Sequence, residues 1–337
     1  PGTVVESKLH FDLIPSPKGR TILDRRINSD RDYAKASYIP VDGDDDLKNL
    51  LWRNILKDTG INRISIGCQS AIDSELKELG RIHRFEDFLR TYELFRNEGI
   101  QNINVDLMSN IPNQTLESLA ESLDKIVALS PEHVSAYSLI VEPGTPFYEL
   151  WQNGKLNIAD EDMDRKMYDY TGKYLKEKGY SRYEISNYAK SGYECKHNMV
   201  YWSGGEYIGV GLGSSSYFKG VRYKNPSDFE EYFKYIDDIE GADPDELFSK
   251  HYQEVSYISA KEEMEEFFFL GLRKIAGVNA FDFKMRFNRD VTEVYAESLK
   301  HLTENGLMVF DRESGQIYLT DKGLDISNYC MEQFLLE

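Results

Sequence analysis

The 337-residue chain is 41% hydrophobic and carries 17 Phe, 23 Tyr and 3 Trp, enough for one large core or for a large and a small one. Its 58 acidic against 40 basic side chains give a net charge of −18, a surface that repels phosphate backbones and so excludes general nucleic-acid binding. Cys68, Cys195 and Cys330 lie far apart with no C-x-x-C spacing, which excludes a compact disulfide scaffold and a local cysteine cluster for zinc or iron–sulfur.

The chain opens at Pro1 rather than Met, which suggests a fragment, a processed form or a trimmed chain. PGTVVESKL reads as a turn entering a helix. A charged stretch follows with PSPKGR, RINSDRD and VDGDDD as turn signals, and residues 10–45 are expected to be an insertion within a divergent segment, 1–60. LKNLLWRNILKDTG (47–60) restores an amphipathic helix.

From residue 61 the pattern alternates. RISIGC (63–68), NINVDLM (102–108), HVSAYSL (133–139) and RYEIS (182–186) are short runs rich in β-branched or aromatic residues. Between them, 85–99, 116–129 and 160–179 have helical spacing, with Leu116, Leu119, Leu123, Ile126 and Val127 on one stripe. Gly99 and Gly179 stand where helices should stop. Strand–helix–strand units in series imply a parallel sheet. The visible strands are too few for a closed eight-stranded barrel, so a partial (β/α) barrel or an open sheet is expected over 61–240.

The C-terminal third changes character. AKEEMEEFFFLGLRKIAG, FDFKMRF and VTEVYAESLKHLTENG read as three helices, LMVFDRESGQIYLT as two strands about a turn, and DKGLDISNYCMEQFLLE as a last helix. Three helices plus a hairpin form a winged-helix-like α+β domain over 250–337. Residues 281–330 hold six Lys/Arg against nine Asp/Glu, and the third helix carries Glu293, Glu297 and Glu304. A DNA-reading helix would be basic, so this domain is expected to pack against the first one.

Several residues invite a chemical reading. IGVGLGSSS (208–216) resembles a dinucleotide loop but opens no helix, so a tight strand end with close backbone approach is expected; no Walker pattern is present. Gln69 directly follows the first strand, Asp106 ends the second, and Arg81 begins the helical stretch after the first. In a β/α barrel these positions form the active-site face. Each is either a ligand for hydroxyls and amines or a hydrogen bonder that fixes a loop. In SNIPNQT, Asn110 and Asn113 flank Pro112 and suggest left-handed backbone in a tight loop. His197 stands beside Asn198, Tyr201 and Trp202 in KHNMVYWSGG. It reads either as a packed, hydrogen-bonded histidine or as an iron ligand walled by flat rings.

Taken together, GINRISIGCQS, LGRIH, NINVDLMSNIPNQTLES, EHVSAYSLIVEPGTPF, RYEISNYAKSGYECKHNMVYW, YIGVGLGSSS and LTDKGLDISNYCMEQFL resemble, in order, the HemW haem chaperones. These are relatives of oxygen-independent coproporphyrinogen III oxidase in the radical SAM superfamily. The resemblance implies that HNxxYW, here His197, Asn198, Tyr201 and Trp202, binds haem, with His197 a candidate iron ligand. It implies that Gln69, Arg81 and Asp106 hold S-adenosylmethionine and that Ser215 lies near the adenine. A guanidinium suits the methionyl carboxylate. Haem and haem-accepting proteins are the implied partners. The alternative within the superfamily is an oxygen-independent coproporphyrinogen III dehydrogenase of porphyrin biosynthesis, against which the HNxxYW signature argues.

The chain departs from that family at its start. The C-x3-C-x2-C motif that holds a [4Fe–4S] cluster is absent, as is the GGGTP strand end, and PGTVVESKL matches the segment that follows them. An N-terminally incomplete chain is therefore expected, with no reductive cleavage of S-adenosylmethionine by itself and an exposed sheet edge. A gene-model fragment without activity of its own is the third alternative. No apolar run approaches the roughly 18 residues of a membrane span, and no signal-peptide pattern opens the chain, so a cytoplasmic protein is expected. A peripheral membrane contact and a homodimer are left open.

Overall fold

The computed structural model describes residues 61–239 and 253–336; the helix expected over 47–60 and the insertion expected at 10–45 lie outside them. The chain divides into two compact units between Glu194 and Cys195. That division lies upstream of the 240–250 boundary read from composition, and KHNMVYW falls in the second unit. No described helix is long and apolar enough to cross a membrane.

The first unit is built on a five-stranded sheet. Its strands are β1 (Arg63–Gln69), β2 (Asn102–Ser109), β3 (His133–Ser138), β4 (Ser181–Glu184) and β5 (Asn187–Ala189), in the order β1-β2-β3-β5-β4. β1, β2 and β3 are parallel, as the alternation predicts. The fourth expected strand is instead a hairpin. β5 runs antiparallel to β3 and pairs with β4 across a two-residue turn, Ile185–Ser186. The Glu184 carboxylate fixes that turn by accepting from the Ser186 amide at 3.1 Å and from the Asn187 side chain.

Alternation of side chains gives the sheet two different faces. The short helix α1 (Asp73–Glu78) follows β1. Ile64, Ile66 and Cys68, Ile103, Val105 and Leu107, and Val134 are buried in one core with Phe88, Tyr92 and Phe95 of α2 (Phe85–Asn97), Leu119, Leu123 and Ile126 of α3 (Leu116–Ala128) and Met167 and Leu175 of the helix Glu161–Glu177. Each such side chain contributes roughly 1.5–3 kcal/mol of burial. The intervening positions are polar, with Ser65, Gly67, Asn104, Asp106, His133 and Ser135 on the opposite face. α3 starts at Thr115, whose hydroxyl accepts from the Ser118 amide at 3.2 Å. Asn110 and Asn113 both adopt left-handed backbone, at φ 58° and 64°. The Asn110 Oδ1 accepts from the Ala159 amide at 2.9 Å and so pins the loop.

In the second unit, α4 (Lys196–Trp202) is followed by the antiparallel sheet β6 (Ser215–Phe218), β7 (Val221–Lys224) and β8 (Gln253–Tyr257), in that order. α5 (Ala260–Gly271), α6 (Ala280–Phe287), α7 (Val291–Val294) and α8 (Ala296–Glu304) precede the wing strands β10 (Met308–Phe310) and β11 (Gln316–Leu319). The wing gains a third strand that periodicity does not reveal, β9 (Val278–Asn279), paired with β11. Two helices are shorter than their patterns predict: that of 291–306 breaks at Tyr295, and that of 321–337 breaks at Ile326. The core is aromatic. Phe268 stacks on Phe334 with centroids 4.0 Å apart, and Phe283 and Tyr295 meet Phe268 from the sides.

Candidate functional site

In the first unit the C-terminal ends of β1 and β2 carry the polar groups. β1 bulges between Gly67 and Gln69, and Gln69 takes left-handed backbone at φ 66°. That conformation is uncommon for a residue with a side chain and marks a constrained position. It turns the Gln69 amide back over Gly67, where an added Cβ would lie 3.0 Å from Gln69 Nε2. Gln69 is buried, and its Oε1 has no hydrogen-bond partner. An orphaned buried acceptor fits a ligand that brings its own hydroxyl or amine.

Asp106 sits beside it in register with Gly67. Its Oδ1 accepts from Asn104 Nδ2 at 2.7 Å. The Asn104 side-chain Oδ1 in turn contacts His133 Nδ1 at 2.5 Å and accepts from the Ser135 hydroxyl at 3.1 Å, and His133 Nε2 lies 2.8 Å from the Tyr183 hydroxyl. This relay fixes the carboxamide orientation and assigns the His133 Nδ1 proton to Asn104, leaving Nε2 to accept from Tyr183. Asn104, His133 and Tyr183 are absent from the candidates read from sequence. The signal was present in N-I-N-V-D, where polar residues alternate with buried apolar ones.

Arg81 is half-buried on the return from the helix Asp73–Glu78, where Gly80 at φ 68° reverses the chain and the Arg81 amide donates to Leu76 O at 2.9 Å. Below the strand ends Glu75 is 5% exposed and accepts from Ser70 Oγ at 2.6 Å, from Gln114 Nε2 at 2.9 Å and from the Ser118 hydroxyl. These bonds tie the β1 end to the loop before α3. Gln69 and Asp106 are thus neighbours on adjacent strands, and Arg81 lies on the loop that follows β1. Ser215, exposed at the start of β6, belongs to the other unit.

In the second unit, Cys195 caps α4, and helical spacing sets Tyr201 one turn beyond His197. The imidazole meets the Tyr201 ring edge-on, with centroids 4.8 Å apart and planes at 89°. Tyr201 meets Tyr207 in the same way at 4.5 Å, and Tyr207 continues to Tyr217 at 6.5 Å. Burial, with smaller effects from Tyr207 and Cys195, holds the Tyr201 hydroxyl above the ordinary tyrosine range. The helix ends because Gly204, at φ 61°, and Gly205 leave its axis. The glycine-rich segment that follows is the tight strand end its sequence predicts: a Cβ on Gly209 would overlap Ser215 O, and Asn225 Nδ2 bridges Gly211 O at 3.0 Å and Ser214 Oγ at 2.9 Å.

Among the described residues no group of His, Cys, Asp and Glu could hold a metal ion. Cys68, Cys195 and Cys330 are buried free thiols. Burial, then Asp106, pushes the Cys68 thiol far above its ordinary range, so it stays protonated and inert as a ligand. These residues do not fit an iron–sulfur cluster. The Gln69–Asp106 pair, with its orphaned acceptor, does fit a small polar cofactor.

Comparison with known proteins is consistent with both units. The radical SAM superfamily model matches residues 52–126, and the HemN C-terminal domain model matches residues 258–326. The chain is 38% identical over 283 residues to the heme chaperone HemW of Bacillus subtilis (strain 168), covering 84% of this chain and 72% of that protein. It is 37% identical to the heme chaperone HemW of Lactococcus lactis subsp. lactis (strain IL1403), covering 84% of this chain and 71% of that protein. Among solved structures, the radical SAM enzyme coproporphyrinogen III oxidase (HemN) from Escherichia coli superposes with a TM-score of 0.67 at 18% identity, over 84% of this chain and 66% of that one, a likeness of fold.

Proposed function

The chain belongs to the HemW haem chaperone family of the radical SAM superfamily, and from that membership we propose that it binds haem at α4 and releases it to haem-accepting proteins. The observation that carries this reading is the ladder His197–Tyr201–Tyr207, three rings in successive edge contact, the first two on the half-exposed α4 and the third beyond its end. Haem iron takes a side-chain ligand, for which an imidazole nitrogen is well suited, and its flat macrocycle packs against aromatic or apolar walls. His197 supplies the nitrogen, and Tyr201 holds the imidazole by its edge. Asn198 and Trp202, on the neighbouring stripe of the same helix, complete the segment.

The polar face of the first unit is the S-adenosylmethionine site in this reading. Gln69 would hold the cofactor through its unpartnered Oε1, which suits a ribose hydroxyl or an amine. Asp106, steadied by Asn104, would accept from a second such group, and Arg81 would pair with the carboxylate. When bound beside a reducing cluster, S-adenosylmethionine supplies radical chemistry; the described residues contribute binding and orientation only.

Haem-loaded full-length protein mixed with an apo-cytochrome b domain tests the proposal. Transfer is expected, with the acceptor gaining its own Soret spectrum at the expense of the donor. A protein that takes up no haem, or that retains it in the presence of excess acceptor, would rule the chaperone role out.

A further inference from the structure

Among the buried donors of the second unit that have no acceptor, two lie together. The Trp202 indole Nε1 and the Arg273 Nε are both buried and neither has a hydrogen-bond partner. They belong to one stack, for the Arg273 guanidinium carbon lies 4.4 Å from the Trp202 ring centroid. An orphaned buried N–H carries its full desolvation penalty. Two of them in one stack point to an acceptor that the described residues do not supply.

Two further cations gather where α4 ends. Lys274 Nζ reaches Ser203 Oγ at 3.4 Å, and an added Cβ on Gly204 would lie 3.0 Å from Arg286 Nη1. The carboxylates facing them are Asp282, which acts on Lys274, and Glu263, 3.5 Å from Arg286 Nη2. Among the described residues no carboxylate pairs with Arg273. Cations at a helix C-terminus are ordinarily explained by the helix dipole. That explanation serves Lys274 and Arg286 but says nothing of two buried N–H groups with no acceptor. Burial holds the Lys274 ammonium below the ordinary lysine range despite Asp282, so a second anion beside it would favour its charged form.

We propose that the Arg273 guanidinium and the Trp202 indole N–H form a carboxylate-binding subsite, with Lys274 adding charge. Resting on the haem reading, the ligand group is a propionate of the macrocycle whose iron faces His197. Net charge of −18 over the chain makes this local cluster of cations selective for an anionic group that the rest of the surface repels.

The full chain is titrated with haem and with haem dimethyl ester in one detergent, each followed by the Soret band. The wild type is expected to prefer haem by about tenfold or more, the size of one charge-assisted pair. Arg273→Gln should bind the two about equally, and Lys274→Gln should narrow the preference several-fold. If Arg273→Gln does not fold, Trp202→Phe removes the N–H and keeps a ring, and should likewise narrow the preference. Equal binding of both ligands by the wild type, or an undiminished preference in a folded variant of Arg273 or Trp202, overturns the subsite and leaves the haem reading standing. Binding of neither ligand overturns the haem reading and the subsite with it.

Discussion

Replacing either Gly277 or Gly306 by alanine puts a Cβ on a left-handed residue, yet the two substitutions should differ sharply in cost. Gly277 has φ 69° and Gly306 φ 66°, so the intrinsic backbone penalty is alike, about 1 kcal/mol. Their surroundings are not alike. Around Gly306 nothing lies within 4 Å of the added carbon, whereas at Gly277 it would overlap the Ile317 carbonyl oxygen and lie 2.7 Å from Tyr318 Cα. The obstacle at Gly277 is backbone of β11, which cannot rotate away as a side chain could. Ile317 pairs with Val278 and is fully buried, so relief requires opening the β9–β11 pairing. Overpacking of this kind adds roughly 1–3 kcal/mol, for a total of about 2–4 kcal/mol at Gly277 against about 1 kcal/mol at Gly306. Native-state hydrogen exchange on peptides spanning 308–319 reads the local opening free energy directly. Equal losses in the two variants would refute the packing argument at β11.

Other outcomes follow from single contacts. Glu75→Gln turns an amide N–H₂ toward donors that now meet a carboxylate; it should cost about 1–3 kcal/mol in urea unfolding, and an unchanged midpoint would mean that Ser70 and Gln114 find other acceptors. Thr320→Ala removes the acceptor of the Gly323 amide at the start of the helix Asp321–Asp325; a loss of about 1 kcal/mol is expected, and no loss would show that Gly323 is satisfied otherwise. Lys274→Met should raise the Tm of the ligand-free protein near neutral pH, because burial depresses the wild-type lysine and penalises its charged form. That gain should shrink as pH rises through the folded-state value toward the unfolded one, about 10.4, since the wild-type ammonium is then neutral; a gain that grows with pH would contradict the assignment.

Much of the first unit is legible in its sequence because alternation and helical spacing record which face is buried. Ile103, Val105 and Leu107 enter the core, while Asn104 and Asp106 between them face the other way. Asn110 and Asn113 are legible as left-handed positions because few residue types tolerate that backbone. The β4–β5 hairpin is not, since alternation is the same in parallel and antiparallel strands and its turn, Ile185–Ser186, holds no glycine or asparagine. Helix breaks at Tyr295 and Ile326 are hidden for a similar reason: neither position carries a residue that breaks helices by itself. The left-handed Gln69 and the stacking of Arg273 on Trp202 arise from tertiary packing, which no local pattern records. The candidate positions Gln69, Arg81 and Asp106 were marked by their places at strand ends, but the relay through Asn104 and His133 needed neighbouring strands to be seen.

Haem binding by α4 through His197 is measured most directly by a Soret titration of the full chain beside its His197→Ala and His301→Ala variants. His301 is an exposed histidine of the same unit, hydrogen-bonded to Tyr329 at 2.8 Å, and serves as the control. The wild type and His301→Ala should share one saturating, histidine-ligated spectrum, and His197→Ala should lose it or bind at least tenfold more weakly. Equal affinity and an identical spectrum in His197→Ala would contradict the claim.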